Sequence, residues 1–356
     1  MVPGINMTQF TGQKLLVAPL DWGLGHATRC IPLIKGLLEQ ECRVWLAGEG
    51  AQEILLRKEF PSLPFLYLPG YRVRYARTGR GLLWRMLMQG PGIRQTIRYE
   101  NDWLKKKVEE YGFDAIISDN RYGLHHKKIY CIFITHQLTI KTGMGRWTER
   151  MLQRINYRYI NRFSECWVPD EKGENNLAGE LSHPEKLPII PVKYIGALSR
   201  FEKNSAPIIK DHILVILSGP EPQRSILEDK IVDNIAHYNG TAVIVRGLPA
   251  EASIIPSTNT IFFYNHLPAA ELQKEIEKAE WIIGRTGYST VMDITTMQKK
   301  SILIPTPGQP EQEYLAKYLM KKGIVYCVKQ DEFSLTSALQ KATSMVNGQW
   351  SMVNSQ

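Results

Sequence analysis

The stretch covering residues 281–318 constrains the fold of this chain more than any other. It opens with the apolar run Trp281-Ile282-Ile283, which is typical of a buried parallel strand. Gly284 and Gly287 follow, and we interpret both as positions whose backbone angles a Cβ atom would forbid. A helical segment comes next, and Ser301-Ile302-Leu303-Ile304 predicts a second strand. The order of strand, glycine turn, helix and strand indicates a βαβ unit of a parallel α/β sheet.

The start of the helix in this unit is suited to an anion. Ser289 or Thr290 is the predicted N-cap, and the amides of the first turn point beyond the carboxyl end of the strand. Such amides and the helix dipole stabilise an anion by roughly 0.3–1 kcal/mol when the site is exposed. We therefore expect a phosphate at this position, while an ordinary βαβ unit without a ligand is the alternative interpretation.

Three motifs of this stretch resemble the donor half of the MurG-like glycosyltransferases of the family 28 type. They are Arg285-Thr286-Gly287, Thr290-Val291 with Asp293-Ile294, and the loop Pro-Gly-Gln-Pro-Glu-Gln-Glu-Tyr at positions 307–314. The resemblance implies the GT-B fold, an α/β protein of two Rossmann-like domains whose parallel sheets face each other across a cleft. It also implies that the second domain binds the nucleotide of a UDP-sugar.

The resemblance carries two donor-binding roles onto this stretch. Asp293 falls at the position that binds the ribose hydroxyls, where the family usually has the longer Glu. Gln312 and Glu313 fall at the pair that contacts the sugar, where the family usually has Gln-Gln. The first departure shortens the reach to the ribose, and the second leaves the identity of the sugar open.

Other donor contacts are implied further upstream. Ser218-Gly219 loosely matches the loop that cradles the diphosphate, and Arg224 adds charge beside it. Asn265 and His266 follow a predicted strand at the place where the family holds the base. The whole implied donor set is Ser218, Gly219, Arg224, Asn265, His266, Arg285, Thr286, Gly287, Ser289, Thr290, Asp293, Gln309, Gln312 and Glu313.

A second glycine loop lies near the amino terminus. Leu15-Leu16-Val17-Ala18-Pro19 predicts a strand, and Gly23-Leu24-Gly25-His26 then leads into a helix. The third glycine of a dinucleotide fingerprint is absent. MurG-like enzymes have a glycine loop with a histidine here, which makes His26 a candidate base for an acceptor hydroxyl. A helix-terminal residue that binds phosphate or caps the helix is the alternative.

Two later strand ends supply further candidates. Residues 114–119 predict a strand that ends in Asp119, which either orients His26 or caps the following turn. His136 follows the next predicted strand and is expected to line the cleft. With the catalytic pair His26 and Asp119, the expected acceptor side comprises Gly23, Gly25, Thr28 and His136.

The length of 356 residues suggests two domains. We expect an acceptor-binding domain over residues 1–190 and a nucleotide-sugar domain over 191–334, with a final helix at about 335–356 packing back on the first.

The five cysteines are scattered, which argues against disulfides and structural zinc. We expect no metal and no cofactor, with a UDP-sugar as substrate.

The chain is basic, with a net charge of +9. Basic residues are concentrated in segment 71–107, where Trp84, Met88 and Trp103 lie among them. This mixture suits an anionic membrane or a lipid pyrophosphate, and a solvated helix pair is the alternative. We expect no nucleic-acid partner, because no such motif is present. No segment reads as a membrane span or secretory signal, so we expect a cytoplasmic protein, with peripheral contact at the inner membrane face as an option.

The predicted activity is an inverting, metal-independent transfer of a hexosyl or N-acetylhexosaminyl group to a hydroxyl acceptor, with lipid-linked or cell-envelope acceptors as options. A second interpretation comes from residues 23–30, Gly-x-Gly-His-x-x-Arg-Cys, which also resemble the opening of nucleotide-sugar hydrolases of sialic-acid-like pathways. There His26 would activate water. A third interpretation is a non-catalytic protein that docks a transferase at the membrane.

Overall fold

The computed structural model describes residues 4–71, 90–204, 206–249, 251, 253 and 255–353. The described chain divides after Arg200 into two units, and each is built on its own parallel sheet. Two Rossmann-like α/β units confirm the predicted fold class. None of the helices in the described ranges is both long and apolar enough to cross a membrane.

The first unit contains a seven-stranded sheet in the order β3-β2-β1-β4-β5-β6-β7. Its strands are β1 (Lys14–Pro19), β2 (Arg43–Gly48), β3 (Phe65–Tyr67), β4 (Ala115–Asp119), β5 (Tyr130–Ile134), β6 (Glu165–Val168) and β7 (Val192–Tyr194). Its helices are α1 (Leu24–Glu39), α2 (Gly50–Glu59), α3 (Gly90–Tyr111) and α4 (Arg146–Ile160), with short 3₁₀ helices at Met7–Phe10 and Gly179–Leu181.

The order of strands creates a switch point between β1 and β4. The chain runs outward from β1 through β2 to β3, then returns to β4 on the other side of β1. Open α/β sheets bind ligands beyond the carboxyl ends of the strands at such a point. The glycine loop after β1 and the end of β4 therefore lie side by side, with Pro19 paired to Asp119 in the strand register.

The second unit contains a six-stranded sheet in the order β10-β9-β8-β11-β12-β13. Its strands are β8 (His212–Ile216), β9 (Thr241–Val245), β10 (Ile261–Tyr264), β11 (Trp281–Arg285), β12 (Ser301–Ile304) and β13 (Tyr326–Cys327). Its helices are α5 (Gln223–Ile235), α6 (Ala269–Lys278), α7 (Tyr288–Thr296), α8 (Pro310–Lys321) and α9 (Leu335–Val353). Strand β1 is buried from Leu15 onward and strand β11 is buried along its whole length, as the apolar runs predicted.

Local expectations about the glycines and the helix cap need correction. Gly287 has φ −78° and is itself the N-cap of α7, so neither Ser289 nor Thr290 caps that helix. Gly284 is required for space, because an added Cβ would lie 3.1 Å from the backbone oxygen of Ile216 on β8. Neither glycine has the positive φ that the sequence suggested.

The boundary between the two domains differs from the sequence-based one. Tyr194 ends β7 at the edge of the first sheet, so this segment does not begin the second domain. Leu335, Ala338 and Ala342 of α9 are buried in the core of the second unit. The expected return of the final helix to the first domain stays a prediction.

Only part of the basic segment 71–107 belongs to the described residues, since positions 72–89 lie outside them. The described part is mainly α3, whose Ile97 and Leu104 are buried, with Trp103 packed against the first core. These three side chains therefore face the protein interior, whereas Tyr99 of the same helix is 49% exposed.

Candidate active site

His26 and Asp119 form a hydrogen-bonded pair at the switch point of the first sheet. His26 lies in the first turn of α1, whose N-cap Gly23 has φ 86°, an angle that favours glycine. Asp119 is the last residue of β4 and is fully buried. The Nδ1 atom of His26 lies 3.2 Å from each oxygen of the carboxylate. The imidazole is 15% exposed, so the ring remains accessible to a ligand.

Arg29 completes this pair and was missed as a site residue by the sequence analysis. Its Nε donates to Oδ2 of Asp119 at 2.7 Å, and Nη2 donates to Oδ1. Nη2 also lies 2.9 Å from Nδ1 of His26, and Nη1 lies 3.2 Å from Nδ1 of His136. The sequence did hold a signal for this role: Arg29 lies three residues after His26 on a predicted helix, and residues at that spacing share a helix face.

The electrostatics of the cluster favour an ionised carboxylate and a neutral imidazole. Burial opposes ionisation of Asp119, but the guanidinium of Arg29 and the imidazole of His26 outweigh it and hold its pKa well below its usual range. Burial lowers the pKa of His26, with Asp119 opposing and Arg29 assisting. A neutral imidazole beside a fixed carboxylate is the state required of a general base.

The neighbouring Cys30 does not share this reactivity. Its Sγ lies 3.8 Å from Oδ2 of Asp119, and the residue is fully buried. Burial and the nearby carboxylate raise the pKa of the thiol well above its usual range. The side chain is therefore a neutral thiol, which is a poor nucleophile.

Hydrogen bonds from α2 stabilise the glycine loop that precedes α1. The side-chain amide of Gln52, which is buried, donates to the carbonyl oxygen of Gly23 at 3.1 Å and to that of Leu20. Thr28 uses its hydroxyl within α1, donating to the carbonyl of Gly25 at 3.0 Å. Gln52 is thus a second residue that supports the loop and that no motif indicated.

In the second unit, a buried ionic network joins the loops after β8, β9 and β10. Glu228 of α5 accepts hydrogen bonds from Arg224 at 3.0 Å and from Arg246 at 2.6 Å. Arg246 in turn donates to Oδ1 of Asn265 at 2.8 Å. Arg224 also contacts Glu221 at 2.5 Å. Two predicted donor residues, Arg224 and Asn265, therefore have side chains engaged by protein groups, and their contact with a donor stays a prediction.

Arg285 is a buried cation at the end of β11. It is 1% exposed, and its guanidinium donates to the backbone oxygens of Gln223 at 2.5 Å and Ile304 at 3.4 Å. No carboxylate of the described residues forms an ion pair with it. Burial lowers its pKa to about 10. Arg285 thus links the start of α5 to the end of β12, close to the loops predicted to hold the diphosphate.

Thr286 is the neighbouring position, and it is fully buried. Its hydroxyl oxygen has no hydrogen-bond partner among the described residues. A buried hydroxyl without a partner is costly unless something else bonds it. Thr286 therefore fits a position next to a ligand, although a ligand contact stays a prediction.

The loop after β12 is organised by the pair predicted to contact the sugar. Oε1 of Gln312 accepts from the amide of Thr306 at 2.9 Å, and Oε1 of Glu313 accepts from the amide of Gly308 at 2.9 Å. Gln312 also donates to Oε1 of Gln309, the N-cap of α8, at 2.6 Å. These hydrogen bonds stabilise the loop, and the predicted contact of Gln312 and Glu313 with the sugar stays a prediction.

The remaining donor candidates gather at one edge of the second sheet. Strands β8 and β11 are neighbours, with Gly284 paired to Ile216 in the register. Ser218-Gly219 after β8 and Gly287 after β11 therefore follow adjacent strand ends. Ser289 and Thr290 occupy the first turn of α7, and Asp293 lies half-buried in the same helix. His266 follows β10, which is separated from β11 by the two strands β9 and β8.

Comparison with known proteins decides the class of this chain. Residues 261–352 match the model of the glycosyltransferase family 28 C-terminal domain. Over 349 residues the chain is 22% identical to the UDP-N-acetylglucosamine–N-acetylmuramyl-(pentapeptide) pyrophosphoryl-undecaprenol N-acetylglucosamine transferase of Glaesserella parasuis, covering 94% of this chain and 90% of that protein. The protein is a glycosyltransferase that is similar to MurG-type transferases.

Solved structures place this glycosyltransferase in the GT-B fold. MurG of Acinetobacter baumannii superposes with a TM-score of 0.51 at 16% identity, covering 95% of this chain and 91% of that one. The spinosyn rhamnosyltransferase SpnG, solved with thymidine diphosphate, superposes with a TM-score of 0.59 at 13% identity, covering 96% and 92%. At these identities the likeness concerns the fold.

A metal site was not expected in this glycosyltransferase. Within the part of the chain that the structure describes, no three or more His, Cys, Asp or Glu side chains are grouped to hold a metal ion. Metal independence is a property of the reaction and stays a prediction.

Proposed function

We propose that this glycosyltransferase moves a hexosyl or N-acetylhexosaminyl group from a UDP-sugar to a hydroxyl group, with inversion at the anomeric carbon and without a metal ion. The observation that carries the proposal is the pairing of His26 with the buried, ionised Asp119 in a chain whose second unit contains a family 28 domain. The donor is assigned to the second unit, and the base and acceptor are assigned to the first.

The base has to carry its proton on Nδ1, so that the lone pair lies on Nε2. The Nδ1 atom has two neighbours, the carboxylate at 3.2 Å and Nη2 of Arg29 at 2.9 Å. We assign the proton to Nδ1 because a carboxylate is the stronger acceptor, and Arg29 already donates to both of its oxygens. Asp119 then fixes the tautomer that a base requires.

The reaction is a single displacement. Nε2 of His26 takes the proton of the acceptor hydroxyl while that oxygen forms a bond to the anomeric carbon. The bond from the anomeric carbon to the diphosphate oxygen breaks, and UDP leaves with the electron pair. Attack from the face opposite the leaving group inverts the configuration. General-base assistance of this kind contributes about 10²–10⁴-fold.

The leaving diphosphate is stabilised by backbone amides and by the nearby buried cation. The first turn of α7 after Gly287 presents amides at the strand end, and the Ser218-Gly219 loop lies beside it. Arg285 has no ion pair with a described carboxylate, so its charge adds to the positive potential at this edge. These groups take the role that a metal ion plays in other transferases.

The acceptor is proposed to be lipid-linked and part of the cell envelope. The relative from Glaesserella parasuis is named for transfer to a pyrophosphoryl-undecaprenol acceptor. The net charge of +9 suits an acceptor that carries a pyrophosphate. Such an acceptor places the protein in the cytoplasm, peripheral at the inner face of the membrane.

The hydrolase is the second candidate, and it is favoured by the Gly-x-Gly-His-x-x-Arg-Cys motif with Arg29 bonded to Asp119. The same base would then activate water. Incubating the purified protein with UDP-sugars separates the two. A transferase releases sugar slowly from donor alone and rapidly modifies an added lipid-linked acceptor, whereas rapid release of sugar without acceptor supports the hydrolase.

Donor binding is tested by thermal shifts with UDP, GDP, TDP and CMP, because a ligand of the native state raises the melting temperature. A shift with UDP supports the proposal, and a shift with CMP alone contradicts it.

The anomeric configuration of the product tests inversion, and full activity after chelation tests metal independence. A docking protein would bind none of the nucleotides, and His26→Ala would leave cellular glycoconjugates unchanged.

A further inference from the structure

Tyr71, which follows β3, forms hydrogen bonds to the loops after β1 and β4 at the same time. Its backbone amide donates to Oδ1 of Asp21 at 2.9 Å. Its hydroxyl oxygen accepts from the backbone amide of Tyr122 at 3.0 Å. Asp21 precedes His26 in the loop after β1, and Tyr122 follows Asp119 in the loop after β4. A single residue therefore connects the two chain segments that carry His26 and Asp119.

The hydroxyl group of Tyr71 is oriented by Glu100 of α3. It donates to Oε2 of Glu100 at 2.8 Å, and the amide of Gly123 donates to the same oxygen at 2.9 Å. Glu100 is fully buried, so these bonds form away from bulk water, where hydrogen bonds are electrostatically stronger. An added Cβ at Gly123 would lie 2.4 Å from the backbone oxygen of Ile97. The loop after β4 is therefore packed directly against α3.

A buried arginine completes the network. Arg121 is 1% exposed, and its Nε lies 2.9 Å from Oε1 of Glu100. Its Nη2 donates to the carbonyl oxygen of Pro69, after β3, at 2.7 Å. Its own carbonyl oxygen accepts from the hydroxyl of Ser118, next to Asp119, at 2.6 Å. Arg121 thus connects the end of β4 to the segment that contains Tyr71. We call Tyr71, Glu100 and Arg121 the Tyr71 network.

The pairing of strands does not by itself determine the position of His26 relative to Asp119. The register of β1 and β4 ends at Pro19, and residues 20–23 form a loop before α1 begins. The distance of 3.2 Å from Nδ1 of His26 to the carboxylate lies at the upper end of the hydrogen-bond range, so a shift of about 0.4 Å would remove the bond. Contacts between the two loops therefore decide whether it forms.

We propose that Tyr71, Glu100 and Arg121 are positioning residues for the reaction, because they hold the loop that leads to His26 against the end of β4. The inference rests on the proposed function, in which His26 takes the acceptor proton. The network acts through the contact between His26 and Asp119. A displacement of about 1 Å at a reacting group can lower the rate about 10²-fold, so small movements of this loop matter.

The surroundings of His26 give this proposal a readout that a purely structural role would not change. Among the described residues, the charged or titratable groups that act on the imidazole are Asp119, Arg29 and His136. Asp119 raises the pKa of His26, and the other two lower it. Arg29 belongs to the same helix as His26, so a looser loop changes the distance to Asp119 more than the distance to Arg29. Loosening the network therefore moves the pKa of His26 toward acid.

Tyr71→Phe tests the proposal, because it removes the hydroxyl and keeps the ring and the amide that bonds Asp21. An NMR titration of the His26 imidazole, assigned by comparison with His26→Ala, measures the midpoint without substrate. We expect the midpoint of Tyr71→Phe to move toward acid. We also expect kcat to fall about tenfold while KM for the UDP-sugar stays within about twofold, since the donor is assigned to the second unit.

Tyr122→Phe is the matched control. It removes a hydroxyl from the same part of the first unit, one that donates to Oδ1 of Asn156 on α4 at 2.8 Å. Both variants lose hydrogen bonds that their hydroxyl groups make, so both should melt at a lower temperature than the wild type. Because Asn156 lies in neither loop, Tyr122→Phe should leave the His26 midpoint and kcat unchanged.

Several outcomes would overturn the proposal. An unchanged His26 midpoint in Tyr71→Phe would do so, and so would an equal shift in Tyr122→Phe. Adding Tyr71→Phe to Asp119→Asn should move the midpoint no further, and a further shift would show that the network does not act through the carboxylate. Failure of the proposed function has a different signature, because His26→Ala would then keep its activity while the midpoint still responds to Tyr71→Phe.

Discussion

Nδ1 of His26 lies 3.2 Å from the carboxylate of Asp119, although the two residues are 93 positions apart in the chain. The contact arises because β1 and β4 are neighbours and their carboxyl ends are in register. A glycine at the N-cap of α1 turns the chain so that the first helical turn faces the end of β4. The parallel sheet thus brings a base and its orienting acid together.

Replacing His26 by Ala is expected to lower kcat about 10²–10⁴-fold while the dissociation constant for UDP changes little. The physical reason is that the acceptor proton loses its receiver, whereas the donor is assigned to the second unit. Single-turnover kinetics and UDP titration measure the two quantities. His125→Ala, which changes a histidine after the same strand β4, serves as the control and should retain activity. Equal losses in both variants would refute the role of His26.

Activity is expected to rise with pH on the acidic side, with a midpoint below 6.5. Only the neutral imidazole accepts a proton, and burial lowers the pKa of His26 from 6.5. The same shift means that the folded state binds this proton less readily than the unfolded state, so His26 reduces stability as the pH falls below about 6.5. The pH profile of kcat/KM measures the midpoint.

Asp119→Asn supplies the control for this profile. The carboxylate raises the pKa of His26, so its removal should move the midpoint further toward acid. The variant should also lose activity, because the amide does not enforce the Nδ1-protonated tautomer. A midpoint that stays in place would show that another group limits the wild-type profile.

The sequence predicted the fold well because its signals were local. Apolar runs such as Trp281-Ile282-Ile283 and the glycine loop at Gly23 indicated parallel strands followed by helices, and the structure has them. The pairing of His26 with Asp119 was also predicted, since His26 follows β1 and Asp119 ends β4, its neighbour at the switch point. Their catalytic role stays a prediction.

The hydrogen-bond and ion-pair partners of individual side chains were less predictable, because they depend on which loops lie next to each other in the fold. Arg224 was assigned to a phosphate, but Glu228 lies one helical turn away and Glu221 just before the helix, and both pair with it. Arg29 belongs to the Gly-x-Gly-His-x-x-Arg-Cys motif, but the motif does not reveal its hydrogen bond to Asp119. That bond depends on how β1 and β4 are paired in the sheet. Gly284 was interpreted as a turn residue, but the structure shows a different constraint. An added Cβ at Gly284 would lie only 3.1 Å from the backbone oxygen of Ile216. Sequence spacing alone does not give these distances.

Glu228→Gln is expected to destabilise the second unit by about 3–5 kcal/mol, since it leaves two buried arginines without their shared carboxylate. Glu228 is 8% exposed and bonds both Arg224 and Arg246. Its pKa is lowered by those arginines against the effect of burial, so the stabilisation is lost as the pH falls through the carboxylate range.

The matched control is Glu221→Gln, because Glu221 pairs with the same Arg224 but is 53% exposed. A surface pair contributes only about 0–1 kcal/mol, so this variant should unfold close to the wild type. Thermal and urea unfolding measure both. If the two variants were equally stable, the buried network would not hold these loops.

Substitution by Ala is expected to destabilise the fold at Gly284 but not at Gly287. At Gly284 the new Cβ would lie 3.1 Å from the carbonyl oxygen of Ile216, so that oxygen must shift by a few tenths of an ångström, and we expect stability to fall by about 1–3 kcal/mol. At Gly287 the nearest atom, Oγ1 of Thr290, lies 3.9 Å away, and φ is −78°, so Ala fits the apo fold. Gly287→Ala should therefore unfold near the wild-type temperature. It should bind UDP at least several-fold more weakly, because a Cβ at the N-cap of α7 obstructs a diphosphate that approaches the helix amides.

Melting curves with and without UDP measure both effects. Undiminished stabilisation of Gly287→Ala by UDP would place the diphosphate elsewhere.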